Sequence, residues 1–242
     1  MKKLFSIICL LPLLAAAQVV VTSPVAGLSS TTNATTYSMT SFTPTANSLL
    51  VLMVYATTTN PASPAVTNTG TPLTWTLENS QLVGGNSYYI FWAKVGPTVS
   101  ASVITFTCTG DAAAGCQMSV HTFTNYNRFR ANPIRQSLIN TATTTSASPA
   151  FTFTSVPEPS NGYVIGWSGT RGANASTPPA GWTESVDLTY NTPTTNFATA
   201  RRNGGLSSAG PYTFTASAST AWVTMGVEVY VARRGMLPHL LN

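Results

Sequence analysis

The groups able to do acid–base chemistry are few. The chain holds two histidines, His121 and His239, and six carboxylates, Glu78, Asp111, Glu158, Glu184, Asp187 and Glu228. A general base needs a nucleophile or acid within reach and a third group to orient it. His121 stands in QMSVHTF, where Met118, Val120 and Thr122 alternate with Gln117, Ser119, His121 and Phe123. The other histidine lies in the C-terminal LPHLLN, and no Gly-x-Ser-x-Gly elbow occurs. A glycosidase would need two facing carboxylates about 5–9.5 Å apart. Glu184 and Asp187 are near in sequence, but on a regular strand they point to opposite faces. The expectation is a non-catalytic chain in which His121 is a hydrogen-bonded structural residue. No cofactor is implied.

The cysteines carry a second chemistry. Cys9 lies in MKKLFSIICLLPLLAAAQ, which has the basic start, apolar run and Ala15-Ala16-Ala17 cleavage site of an export signal. Residues 1–17 are therefore expected to be removed, with Gln18 as the new N-terminus, the alternative being a retained N-terminal anchor; either way the chain is expected to be secreted or surface-exposed. Export leaves Cys108 and Cys116, in CTGDAAAGC, with seven residues between them. An even pair in an oxidising compartment predicts a disulfide at a hairpin tip, contributing about 2–3 kcal/mol. No His or further Cys stands at metal-ligand spacing, so no metal site is expected.

Binding chemistry points to aromatic side chains. Glycan sites on β-sandwiches stack flat rings on sugar faces and use amides or Arg for the hydroxyls. Tyr88, Tyr89, Trp92 and Trp167 sit in strand-like runs apolar on both faces, and Arg171 and Asn174 in the loop TRGANASTPPAG. These six are the candidate ligand-binding residues; the competing reading places the rings in the core, where Tyr and Trp are usually found. Trp75, Trp182 and Trp222 are expected in the core.

These residues must be positioned by strands. Charged residues make up 7% of the chain and hydrophobic ones 43%, so a real core is available and solubility rests on Thr, Ser and Asn. The formal charge is +5, but the Arg residues are scattered, which argues against a nucleic-acid partner. After the export signal, no apolar run is long enough to span a membrane as a helix. Short β-branched and aromatic runs bounded by Gly, Pro, Asn or Ser predict strands near 36–43, 49–56, 73–83, 87–95, 102–109 and 116–125. A second set follows near 150–156, 162–168, 181–190, 196–202, 211–217 and 222–232. The strand 49–56 is apolar on both faces, so it is either covered twice or meets a partner.

The two sets match. NSLLVL at 47–52 corresponds to NGYVIG at 161–166, Trp75 to Trp182 and His121 to Glu228, the last two at an offset of 107 residues. The expected fold is all-β: a jelly-roll-like β-sandwich over 35–232, built from related halves 35–125 and 150–232. Residues 18–34 form an N-terminal segment, 126–149 a linker and 233–242 a tail.

The succession NSLLVL, LTWT, WAK, VITFT, SVHTF, ANPIR, NGYVIG, GWT, YTFT and AWVTMGVEVY resembles a loose family of secreted bacterial and phage-associated β-sandwich segments. In these a GNLLVV-like strand, a GNTWT-like turn and a WVMQMATF-like closing strand recur. The resemblance implies a jelly-roll-like extracellular module without agreed catalytic residues. Two functions fit. One is a secreted adhesion or glycan-binding module whose partner is a glycan or cell-surface polymer. The other is a structural component of a virion or cell-surface assembly, with homo-oligomers.

Overall fold

Runs of Val, Ile, Thr, Tyr and Phe, punctuated by Gly and Asn turns, give a chain made of antiparallel strands. The structure, a computed structural model, describes residues 18–57, 62–109, 113–141, 145–169, 175–191, 194–217 and 221–232. Arg171, Asn174, Asp111, His239, the 1–17 signal and the 233–242 tail lie outside the described residues. Among the described residues no helix is long and apolar enough to cross a membrane.

The first half contains β1 (Val20–Thr22), β2 (Leu28–Ser30), β3 (Thr36–Ser38), β4 (Leu49–Ala56), β5 (Ala62–Asn68), β6 (Trp75–Val83), β7 (Asn86–Lys94), β8 (Ile104–Thr109) and β9 (Cys116–Thr124). The second contains β10 (Ile134–Thr141), β11 (Ala150–Phe151), β12 (Gly162–Gly169), β13 (Ser176–Thr177), β14 (Thr183–Asn191), β15 (Thr194–Asn203), β16 (Tyr212–Thr213), β17 (Thr215–Ala216) and β18 (Trp222–Val229).

One large sheet runs β1-β9-β4-β7-β6, with β2 also on β9; the other runs β10-β18-β12-β15-β14. A smaller sheet, β3-β8-β5, belongs to the first half, and the pairs β11-β16 and β13-β17 to the second. Both large sheets thus follow the same order, with β9, β4, β7 and β6 answering to β18, β12, β15 and β14.

Alternation along the central strands builds three hydrophobic clusters and four layers. Leu49, Val51, Met53 and Tyr55 pack with Val164, Phe197, Met225 and Val227 between the large sheets. Leu50, Leu52 and Val54 pack with Phe106 and Ile104 under the three-stranded sheet. Tyr163, Ile165 and Trp167 pack with Phe151 and Phe214 on the other outer side. The doubly apolar strand 49–56 is therefore covered twice, which settles that alternative within the chain.

Three expectations are corrected. Residues 134–141, read as part of a linker, are edge strand β10, hydrogen-bonded to β18. The stretch 18–34, read as a leading segment, supplies β1 and β2, and Val19 and Val21 are buried between the large sheets. Cys108 and Cys116 are free, buried thiols. They do not flank a hairpin: β8 pairs with β3 and β5, whereas β9 pairs with β4, β1 and β2, so the two residues come from different layers. Both join the cluster under the three-stranded sheet, Cys108 Sγ facing the Thr35 carbonyl at 3.6 Å. Burial pushes both thiols up in pKa, Cys116 strongly. Of the tryptophans expected in the core, Trp182 is buried, while Trp75 and Trp222 are half-buried at its margin.

Candidate ligand cleft

The candidate rings come first. Tyr88, Tyr89, Trp92 and Trp167 are at most 9% exposed, so none offers a face to a ligand. Their strands are covered on both sides, and the rings fill the clusters between layers. Arg171 and Asn174, the other two candidates, lie outside the described residues.

His121 is fully buried between the large sheets. Its Nε2 lies 2.9 Å from Ser119 Oγ, which lies 3.0 Å from Thr199 Oγ1 on β15 of the other sheet. Burial, with Arg201 nearby, lowers its pKa to about 3, so the ring is neutral. The Ser–His contact has the atoms of a nucleophilic pair, but substrate has no route to it.

Glu228 is also fully buried, on the outer side of its sheet, and both its oxygens are engaged. Oε1 accepts from the Glu158 backbone N–H and from Asn161 Nδ2, each at 2.7 Å. Oε2 accepts from Arg135 Nη1 at 2.7 Å and from Gln136 Nε2. Adjacent residues of a strand normally point to opposite faces. Here the register of β10 shifts between Ile134 and Gln136, and this bulge lets Arg135 and Gln136 reach one carboxylate. The arrangement fastens the 155–161 segment to β18 and leaves Glu228 no free lone pair for catalysis.

A bulge also alters the reading of Glu184 and Asp187. Register shifts between Glu184 and Val186, so Glu184 pairs with Ala200 and Asp187 with Ala198, positions on the same face of β15. The two carboxylates therefore share a face, contrary to expectation. Burial raises the pKa of both, and the charge of Asp187 adds to the rise at Glu184. Asp187 Oδ2 accepts from the Ser176 backbone N–H at 2.8 Å.

An accessible concavity among the described residues lies where β9 hands the chain to β10. The turn is built by Asn125, in the left-handed region at φ 60°, and by Asn127, whose N–H donates to the Tyr230 carbonyl at 2.8 Å. Lys94 Nζ donates to the carbonyls of Arg128 and Arg130. Asn132 Nδ2 donates to Glu78 Oε2 at 3.1 Å, and the same oxygen accepts from Trp92 Nε1 at 2.9 Å. The tip is thus tied to β6 and β7.

Beside it opens a cleft of about 490 Å³, lined by Asn127, Arg130, Arg135, Glu158, Ser160, Asn161, Tyr230 and Val231. The Arg130 guanidinium lies 4.0 Å over the Tyr230 ring, and Arg128 lies 5.0 Å over Phe129, itself 87% exposed. A second cleft of about 370 Å³ holds Arg201 and Arg202, but Arg202 already donates to the carbonyls of Gly204 and Gly205.

No protein-family model, curated protein or solved structure matches this chain. The cleft is hidden in the sequence because RFRANPIRQ has the polar look of a linker. The available signal is an aromatic residue between two arginines, with a third arginine five residues further on.

Proposed function

We propose that the chain is a secreted, non-catalytic β-sandwich module that binds a glycan or other cell-surface polymer through the cleft beside Tyr230. The observation that carries this reading is the meeting of an aromatic ring, two guanidiniums and amide and hydroxyl groups in one concavity. Ligand sites commonly have volumes of about 300–1,000 Å³ and a few convergent polar groups. Export rests on the N-terminal MKKLFSIICLLPLLAAAQ. The shared strand order supports two copies of a jelly-roll-like unit, in line with the resemblance to secreted bacterial and phage-associated modules. The non-catalytic reading is supported by the engagement of Glu228 with four donors and of Glu78 with Trp92 and Asn132.

A glycan array probed with the exported protein tests this. Retention on a defined set of glycans, lost in Tyr230→Ala, is expected; an array on which nothing is retained would reject the reading.

A second reading, a structural subunit of a virion or surface assembly, is favoured by β6. This strand ends its sheet, and Leu77 and Leu82 on it are 42% and 56% exposed. A strand that ends a sheet and carries exposed apolar side chains is a candidate site for pairing. Sedimentation that shows oligomers, dispersed by Leu82→Lys, would favour assembly over ligand binding.

A further inference from the structure

The molecule is poor in charge, yet four of its eleven Lys and Arg residues, Lys94, Arg128, Arg130 and Arg135, gather around the tip and the cleft. Among the described residues only Arg135 has a carboxylate within 4.0 Å. Lys94 faces two backbone carbonyls. Arg128 and Arg130 are exposed, lie 5.0 and 4.0 Å over the rings of Phe129 and Tyr230, and have no carboxylate within 4.0 Å among the described residues. An exposed guanidinium keeps its N–H donors available, and two parallel donors match two oxygens of a carboxylate or sulfate.

We propose that the tip and cleft together recognise an acidic polysaccharide, one whose sugars carry carboxylate or sulfate groups. This inference rests on the glycan-binding reading above and names its ligand class. Arg130 over Tyr230 takes one acidic group at the cleft mouth, and Arg128 takes a second along the strand. Phe129 offers its ring to the intervening sugar face. Asn127 and Ser160 lie in the cleft, where neutral hydroxyls need partners. A bilayer surface is the weaker fit: one exposed ring and two free cations give only marginal membrane attachment, and lipid has no use for an amide-lined concavity.

The test is biolayer interferometry of the full chain on alginate, dextran sulfate, neutral dextran and phosphatidylglycerol-containing vesicles. Both polyanions should bind, dextran should not, and raising the salt should weaken binding. Arg128→Gln and Arg130→Gln should each lower affinity about tenfold, as befits loss of a charge-assisted pair. Arg202→Gln, an equal change of charge outside the tip and cleft, should stay within about twofold of wild type, a tenfold loss being the mark of a specific pair. Equal weakening by Arg202→Gln would reduce the effect to net charge and overturn the proposal. Capture on vesicles alone, dependent on Phe129, would overturn it in favour of a membrane. Tyr230-dependent retention of neutral glycans without polyanion binding would overturn the ligand class while sparing the module. No binding to any glycan would remove both. Unchanged melting of each variant shows that the loss is not one of folding.

Discussion

His121 and Glu228, 107 residues apart, stand on opposite faces of corresponding strands. His121 pairs across β4 with Val51, which belongs to the cluster between the large sheets. Glu228 pairs across β12 with Tyr163, which belongs to the outer cluster. A shift of one residue sends every side chain of a strand to the other face. The two residues are thus not equivalent, and each is held by a different kind of contact: one neutral hydroxyl for His121, four donors for Glu228.

The neutral His121 makes stability fall in acid. Its pKa is about 3 in the folded protein against 6.5 when exposed. Above pH 6.5 neither state is protonated there and the contribution is constant. Between pH 6.5 and 3 only the unfolded chain takes up the proton, so stability drops by about 1.4 kcal/mol per pH unit. The raised carboxylates Glu184 and Asp187 act in the opposite sense, being relieved as pH falls. Urea titrations of His121→Gln beside wild type isolate the histidine: the difference between them should change across pH 6.5 to 4.5. A pH-independent difference would contradict the buried neutral ring.

Removing the charge of Glu228 should cost much more than removing that of Glu78. Glu228→Gln places an amide against four donors and leaves Arg135 without its short partner. Breaking a buried pair in this way costs on the order of 3 kcal/mol, reduced here to the extent that Arg135 reaches solvent. For a chain of this size the melting temperature should fall by about 5–10 °C. Calorimetry reads this directly, and a fall no larger than that of Glu78→Gln would show that the clamp contributes little.

The thiols should be inert in the native protein. Cys108 and Cys116 are buried and their pKa values are raised, so little thiolate forms and reagent cannot reach it. Iodoacetamide should label neither at mild pH and both in denaturant without reductant. Mass spectrometry checks this; a pair that needs reductant before labelling would contradict the free thiols.

Much of the fold was legible because burial on both faces leaves a clear mark. Leu49–Ala56, Gly162–Gly169 and Trp222–Val229 are central strands, and their continuous apolar character announces it. Edge strands hide: β10 presents Arg135, Gln136 and Ser137 and so looks like a linker. Trp75 and Trp182 each pack against an outer cluster. The match of NSLLVL to NGYVIG is one residue out, because Leu50, not Leu49, shares with Tyr163 the face toward the outer cluster. The site was less legible still. Bulges bring Arg135 and Gln136, and Glu184 and Asp187, to common faces, and nothing in a strand pattern signals a bulge. The four candidate rings were lost to packing, while the tip was visible only as a short run of unlike residues.

The inner cluster takes its side chains from both large sheets, from Leu49 on one to Val229 on the other. Were one to loosen, the other would at once present its inner face to water. Melting should therefore pass through a single transition with no half-folded plateau. The chain would then melt as one cooperative body, although each half builds a large sheet of its own.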